Sequence, residues 1–545
     1  MGIPSYYKRL CDKVKGLVKS TKPVEIIHWL WVDFNCMIYH CLQRNDTEKY
    51  PENANSDEIS RRSWENRFIQ SVESYLERVV KLVKPSEGIF VGVDGVVPLA
   101  KMRQQRQRRF KAIWEKSRQA GTGQGGLDSW DKNAITPGTD FMMRLCSQLA
   151  NSKKFTGKKY IFSGVDEPGE GEHKVMNAWR NQIAGMHKKN NALYGLDADL
   201  IVLSMLNRKY VGNVWLFREE VKDGQIVRME DGEEKFVWFD IPSLERSLNS
   251  KRQWIDNYLF TMTILGNDFL PSGLSLKLRE DGHDKLCQVL NTISEKDTGV
   301  RGLIKLFRNF ASDEDERIQH FIARKISLGD SIGVETGLGE KNWPLARVWE
   351  DEGRLMENHL TLRRDWQEIY LQLYFHGASR ETICREYVRG LHWTWNYYTG
   401  IDQTDRWTWF YPWHAPPLWS WLVKYLETYE FSQIITKRQS PLASEPSQAP
   451  KPIEQLTLVL PIESWWLISC PVHQKFLERA PWYFPGRYSF FSQGKRFFWE
   501  CEADIPIPTI QEIREIVSHP LPSTYEPTAQ RFEKTKSRQR SSDNN

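Results

Sequence analysis

Apolar runs of four to seven residues recur along the first two hundred positions, and acidic residues follow them closely. Residues 26–32 (IIHWLWV) and 89–93 (IFVGV) run directly into Asp33 and Asp94, while 160–163 (YIFS) and 192–195 (ALYG) lead into acidic turns. Short runs rich in β-branched and aromatic side chains predict buried strands. Between them the period changes. In 59–83 the residues Trp64, Phe68, Val72, Tyr75, Leu76, Val79 and Val83 recur every three or four positions, which predicts a helix ended by Lys84-Pro85. Strand, helix, strand in succession predicts an α/β core with a mostly parallel sheet, flanked by helices. Such sheets bind ligands at the carboxyl ends of their strands, where Asp33, Asp94, Asp197 and Asp199 fall. Asp268 instead follows a helix predicted over 255–265, at a Gly-Asn-Asp turn.

Further along, 311–425 reads as mainly helical and unusually aromatic, and 456–517 alternates apolar runs with turns. The expected organisation is a core over 1–310 and a helical to mixed second region over 311–520. Within them, 119–126 (QAGTGQGG) reads as a flexible tether, since no Lys-Ser/Thr follows to make a phosphate cradle. A Pro/Ser-rich loop is predicted over 437–452, and a basic, disordered tail over 521–545. No internal repeat is present.

Composition narrows the partners only a little. A formal charge of +5 on 545 residues is compatible with nucleic acid, but clustering must decide. The eight cysteines include no CxxC pair, which removes a zinc ribbon or disulfide framework and fits a reducing compartment, cytoplasm ahead of nucleus. No apolar stretch reaches the roughly 20 residues of a membrane span, and MGIPSYYKRL lacks a signal-peptide apolar region, so no membrane partner is expected. Tyr6 stands where myristoylation wants Ser or Thr.

Charge clustering changes the picture. Seven acids, Asp33, Asp94, Glu170, Glu172, Asp197, Asp199 and Asp268, occur in the contexts WVDFN, VGVDGV, PGEGEHK, YGLDADL and LGNDFLP. Carboxylates gathered in one cleft repel one another unless cations neutralise them, and Mg²⁺ prefers such oxygen ligands. Metal-dependent phosphate chemistry, hence a nuclease, is the expectation, with two ions held directly and the surplus acids acting through water or as outer partners. Just after Asp94, VVPLAKMRQQRQRRFK predicts a helix on which Lys101, Gln105, Arg108 and Arg109 share one face, a ready pocket for an anion. His173 and Lys174, beside the acids, are candidates to position phosphate or to form surface pairs.

MGIPSYYKRL, VDFN, VDGVVPLAKMRQQRQRRF, ITPGTDFM, PGEGEHK, YGLDADL and LGNDFLP together closely resemble the eukaryotic 5′→3′ exoribonuclease (XRN) family. More distant similarity continues through WTWFYPWHAPP, EQLTLVLP and QGKRFFWECEADIPIP, to about residue 518. The acidic pattern alone is shared with flap endonucleases, so the fold implied is a PIN/flap-nuclease-like core with a mainly helical second region. The resemblance further implies that the seven acids bind Mg²⁺, with Mn²⁺ able to substitute. It also makes Lys101, Gln105, Arg108 and Arg109 the pocket for a 5′-monophosphate. Implied too is processive removal of nucleoside 5′-monophosphates from uncapped single-stranded RNA, as in mRNA decay. Protein partners such as decapping factors stay unassigned, and the ending of the chain soon after the shared region suggests a compact, even viral, homologue.

One departure stands near the first acid. The family's helix after this Asp carries a histidine that stacks on terminal bases; that position here is Tyr39, with His40 one residue later. An aromatic ring at Tyr39 can stack on a base for about 1–3 kcal/mol whatever the sequence. The family's tryptophan partner falls among Trp393, Trp395, Trp407, Trp409 and Trp413, with Trp393 and Trp409 the preferred pair. Residues 1–9 are expected to help exclude duplex near the site. Two other readings compete: a structure-specific flap endonuclease on DNA, and an inactive RNA-binding scaffold.

Overall fold

Apolar residues on both faces of the central strands require cover on both sides, and one seven-stranded sheet holds those strands in its interior. The computed structural model describes residues 6–518 except 45–46, 52–53, 55–56, 122–129, 156, 182–188, 223–224, 250, 279, 295, 298, 329–351, 429–447, 469 and 496–497. Its sheet contains β1 (Val18–Lys19), β2 (Trp29–Asp33), β3 (Gly88–Gly92), β4 (Lys159–Ser163), β5 (Asn190–Tyr194), β6 (Asn213–Glu219) and β7 (Phe236–Asp240). The spatial order is β1-β7-β6-β5-β2-β3-β4. Strands β2 to β6 are parallel, while β7 and β1 close one edge antiparallel. The chain adds β3 and β4 on one side of β2, then returns to place β5 on the other. The resulting switch point, where such sheets open a crevice, lies between β2 and β5.

Alternation assigns the faces. Leu30 and Val32 join Ile89, Val91 and Ala192 in a cluster covered by α2 (Asn35–Gln43), α3 (Glu58–Val83) and α5 (Asp140–Ala150), while α1 (Tyr6–Lys13) packs on the other side. Trp29 and Trp31, pointing the opposite way, pack with Phe90, Leu193 and Leu216 under α6 (Gly171–Arg180), α7 (Asp199–Asn207), α8 (Ile241–Leu248) and α9 (Arg252–Leu265). Between α3 and α5 runs α4 (Leu99–Gly121), the long basic helix. Asp57 caps α3 by accepting from Ile59 N, and Lys84 ends it in the left-handed region at φ 51°, just before Pro85.

Helices α10 (Gly282–Thr292), α11 (Gly299–Ala311) and α12 (Glu314–Leu328) lead onward to α13 (Trp366–Phe375), α14 (Arg380–Thr399) and α15 (Trp419–Thr428). One hydrophobic cluster runs from Leu200 and Tyr258 to Trp366, Trp393 and Trp419, so it crosses residue 310 without a break. The last helices, α16 (Pro452–Val459), α17 (Cys470–Arg479) and α18 (Ile510–Ser518), gather around α4 through Val97, Leu99, Met102 and Phe110. No helix among the described residues is long and apolar enough to cross a membrane.

The basic helix faces two ways. Arg103 Nη1 donates to Tyr411 O at 2.5 Å and Trp413 O at 3.4 Å, and Lys111 Nζ donates to Phe498 O at 2.6 Å and Cys501 O at 2.9 Å. Arg106, only 1% exposed, donates to Pro506 O, Leu458 O and Tyr483 O, with its guanidinium 4.5 Å from the Phe110 ring centre. These cations bind the second region, not solvent. Helix α4 reaches Gly121, past the start of the tether expected at 119; 122–126 of that tether, residues 1–5, 437–447 of the Pro/Ser-rich loop and the 521–545 tail lie outside the described residues.

Truncating Arg106 removes the donor from two buried carbonyls, Leu458 O and Tyr483 O, at about 1–3 kcal/mol each, and from the more exposed Pro506 O. Arg106→Ala is expected to lower the unfolding free energy by at least roughly 2 kcal/mol in urea titration, whereas Arg108→Ala, on the more exposed face, should change it little.

Candidate active site

Asp33 ends β2, and Asp94 lies just past β3, where Asn35 Oδ1 accepts from its backbone N–H at 3.1 Å. Opposite them α6 begins, with Glu170 at its N-cap and Glu172 in its first turn. Two glycines bring these segments into backbone contact. A Cβ on Gly171 would meet Gly92 O at 2.5 Å and Asp33 Oδ1 at 2.7 Å, and one on Gly92 would meet Gly171 O at 2.7 Å. Freed of side chains, the two strands of backbone approach closely enough for Gly171 N–H to donate to Asp94 Oδ1 at 2.7 Å. The alternation of Gly and Glu in PGEGE is therefore a packing requirement.

Asp197 and Asp199 enter from the β5–α7 junction, with Asp199 as the first residue of α7. Ligand oxygens of Glu172, Asp197 and Asp199 lie within 4.8 Å of one another, as do groups of Glu170, Glu172 and His173. Burial, then the charges of Asp94, Asp197, Asp199 and Glu170, pushes the Asp33 carboxyl well above the usual carboxylate range. Glu172 is raised likewise by burial, Asp199, Glu170 and Asp33. Burial with Glu170 lifts Asp94 to about 6, and burial with Asp197 and Asp268 lifts Asp199 to about 7. Asp199 Oδ1 is buried without a hydrogen-bond partner. Oxygen donors that suppress one another's ionisation, one of them unpartnered, fit a divalent cation.

Asp268 behaves differently. Burial pushes its carboxyl up, but Lys101 and Arg108 outweigh that and hold it below the usual range. Lys101 Nζ lies 2.6 Å from Asp268 Oδ2 and 2.5 Å from Glu170 Oε1, so it is drawn in among the acids. Arg108 Nη2 stands 3.8 Å from Asp268 Oδ1, with the side chain 38% exposed. Gln105 Oε1 accepts from Gln455 Nε2 at 3.4 Å, and Arg109 Nη1 is buried without a partner. The cleft face of α4 thus begins inside the acid cluster and ends at the open Arg108 guanidinium and the partly buried Arg109.

The flanking residues need several corrections. Tyr39 is 40% exposed and within electrostatic reach of Arg109 and Arg108. His40 turns the other way, 5% exposed, with Nε2 3.1 Å from Glu234 Oε1, and has no surface to offer a base. Trp393 and Trp409 are 1% and 4% exposed and pack on each other with ring centres 5.1 Å apart, so both belong to the core. Trp407 is half-buried, its carbonyl accepting from Leu99 N at the start of α4 and its ring 5.5 Å from the Arg406 guanidinium. Lys174 reaches neither phosphate nor surface: its buried ammonium donates to Val93 O at 2.7 Å and Gly164 O at 2.6 Å, tying down the strand ends beside Asp94. His173 is buried against Tyr397, ring centres 4.0 Å apart, with Nε2 4.0 Å from Glu170 and Glu172 oxygens. Sequence reading missed the bond from Tyr397 to Glu170, because 227 residues separate the partners and nothing local announces it.

Comparison with known proteins agrees with this arrangement. Residues 1–220 match the family model described as XRN 5′-3′ exonuclease N-terminus, and 363–518 match the one described as Xrn1 helical domain. The chain is similar to human 5′-3′ exoribonuclease 1, at 26% identity over 94% of this chain and 34% of the human protein. It is also similar to Saccharomyces cerevisiae 5′-3′ exoribonuclease 1, at 28% identity over 53% of this chain and 20% of the yeast protein. With Gallus gallus 5′-3′ exoribonuclease 2 the identity is 24%, over 96% of this chain and 70% of the chicken protein. The chain spans about a third of the length of the human relative. Nothing in these relatives, from human, yeast and chicken, supports the viral origin suggested by chain length. With both models matched in order, over well more than half of its length, and the acids of the first converging at one cleft, the chain belongs to the XRN 5′-3′ exonuclease family.

Proposed function

We propose that this chain is a 5′→3′ exoribonuclease that hydrolyses 5′-monophosphorylated single-stranded RNA, one nucleoside 5′-monophosphate at a time. The observation that carries the reading is the junction at Asp268, where Lys101 and Arg108 join the cationic face of α4 to the acid cluster. A phosphate held at one end of that face leaves the next phosphodiester beside the acids. In this reading the face of α4 that carries Lys101, Gln105, Arg108 and Arg109 takes a terminal phosphate, which only a chain end can supply, and a cap or triphosphate is bulkier than that group.

In this reading Asp33, Asp94, Glu172, Asp197 and Asp199 hold two Mg²⁺ ions, with Mn²⁺ able to replace them, and Glu170 and Asp268 complete the charge around the set. Divalent ions held there would supply Lewis acidity to activate water and counter-charge for the leaving 3′ oxygen. Lys101 offsets the negative charge shared by Glu170 and Asp268, which lets a phosphate enter an otherwise repulsive cleft. Arg108 and Arg109 offer forked donors to the terminal phosphate oxygens, and Gln105 adds an amide. Tyr39 supplies exposed ring surface beside Arg108 and Arg109, and the half-buried Trp407 at the start of α4 is the second candidate for sequence-tolerant stacking. The second region, 311–520, completes this cleft against the 1–310 core.

Asp199→Ala is expected to abolish hydrolysis while RNA affinity, measured by fluorescence anisotropy, stays within a few-fold; full activity of the pure variant would remove Asp199 from the metal set. Arg108→Ala should erase the preference for a 5′-monophosphate over a 5′-hydroxyl, read as the ratio of kcat/KM values on otherwise identical RNAs. The decisive comparison digests one RNA bearing monophosphate, triphosphate or hydroxyl ends and sizes the products. Mononucleotides from the monophosphate substrate alone are expected; internal cuts without end preference would instead indicate an endonuclease, and no cleavage an RNA-binding scaffold.

A further inference from the structure

The acids of the core take one of their hydrogen bonds from the second region. Tyr397, near the end of α14, is 1% exposed and donates its phenol to Glu170 Oε2 at 2.7 Å. The other oxygen of that carboxylate faces Lys101 Nζ at 2.5 Å. Glu170 is therefore gripped on both sides, by α4 through one oxygen and by α14 through the other.

The Tyr397 ring has little freedom to move. It stacks on Trp393 at 5.1 Å and 16°, meets Phe269, the neighbour of Asp268, edge-on at 5.4 Å, and lies 5.4 Å under the Arg406 guanidinium. His173 contacts it on a further side, but its Nε2, 4.0 Å from Glu170 Oε2, is too distant to donate in place of the phenol. Without the phenol, Glu170 could turn both oxygens toward Lys101, an ammonium with three donors. The carboxylate would then be committed to an internal ion pair and turned away from Glu172 and the acids beyond it.

We propose that Tyr397 is a positioning residue of the hydrolytic site: its phenol holds Glu170 in the orientation that supports divalent-cation binding, so the metal affinity of the core depends on the docking of α14. The inference rests on reading the acid cluster as a divalent-cation site. Partners that hydrogen-bond a carboxylate of a metal centre typically change metal affinity by 10–100-fold when removed.

Tyr397→Phe tests this with every ring contact retained. Tyr387→Phe is the matched control, since it removes another buried phenol of the same helix, one that donates to Pro271 O at 3.0 Å. Mn²⁺ binding to the RNA-free full chain is measured by the electron paramagnetic resonance signal of free ion, with melting temperature as the check on folding. Tyr397→Phe is expected to weaken Mn²⁺ binding by about tenfold or more, and Tyr387→Phe to leave it as in the wild type. In RNA hydrolysis the loss should appear in kcat at low Mn²⁺, shrink at saturating Mn²⁺, and leave KM for RNA unchanged. Wild-type Mn²⁺ affinity in folded Tyr397→Phe would overturn the proposal, as would equal losses in both variants, which would mark a general effect of loosening α14. A wild-type chain that binds no Mn²⁺ would overturn the cation reading itself, and this inference with it, a result distinct from either.

Discussion

Burying a cation is costly unless its donors find acceptors, and α4 buries two, Arg106 and Lys111, and half-buries a third, Arg103. Arg103, Arg106 and Lys111 lie on one side of the helix, and Lys101, Gln105 and Arg108 on roughly the opposite side at about 100° per residue. Backbone carbonyls from 411 to 506 satisfy the first set. Those acceptors all come from the second region, so that region is what makes the helix tenable in this position. Its rotation about its own axis follows from the same bonds. Once Arg106 is fixed under Leu458 O and Pro506 O, Lys101 and Arg108 have only the acid cluster and the open cleft to face.

That orientation grades the charge along the cleft. At the strand ends, Asp33, Glu172 and Asp199 raise one another's proton affinity and create a demand for cations. At the α4 end Asp268 is held ionised by Lys101 and Arg108, and the demand is already met. A single cleft thus has one end short of positive charge and one end where cations already stand, the polarity on which the proposed function places metal and phosphate. Lys101 marks the boundary: burial works against its ammonium, yet Asp268, Glu170 and Glu172 outweigh that and push its proton affinity up.

How much of this was legible depends on whether the signal was local. Strands β2 and β3 could be read because both their faces are covered, which makes the runs continuously apolar, and Asp33 and Asp94 could be read because they end those runs. Phase was harder. Tyr39 and His40 differ by about 100° on one helix, and only the burial of His40 against Glu234 decides which ring meets the cleft. Trp393, Trp407 and Trp409 look alike in sequence; what separates them is that Trp393 and Trp409 stack within the core while Trp407 sits at the mouth of α4. The basic run after Asp94 gave up the face that carries Lys101, Gln105, Arg108 and Arg109, but not the role of Arg103 and Arg106, because the carbonyls that accept from them leave no mark in a sequence.

One short stretch of the second region connects these constraints. Tyr397 holds Glu170, Trp407 O accepts from Leu99 N at the start of α4, and Tyr411 O and Trp413 O hold Arg103 one turn along. Glu170 and α4 therefore share a support spanning seventeen residues, 397–413. Side chains packed this closely move together or not at all. A displacement of α14 that released Glu170 would also loosen Leu99 and Arg103, so the two ends of the cleft cannot be disturbed independently from this side. Under the proposed function, with phosphate capture at one end and hydrolysis at the other, a common support would fix the distance between the two and, through it, how many nucleotides leave at each turn.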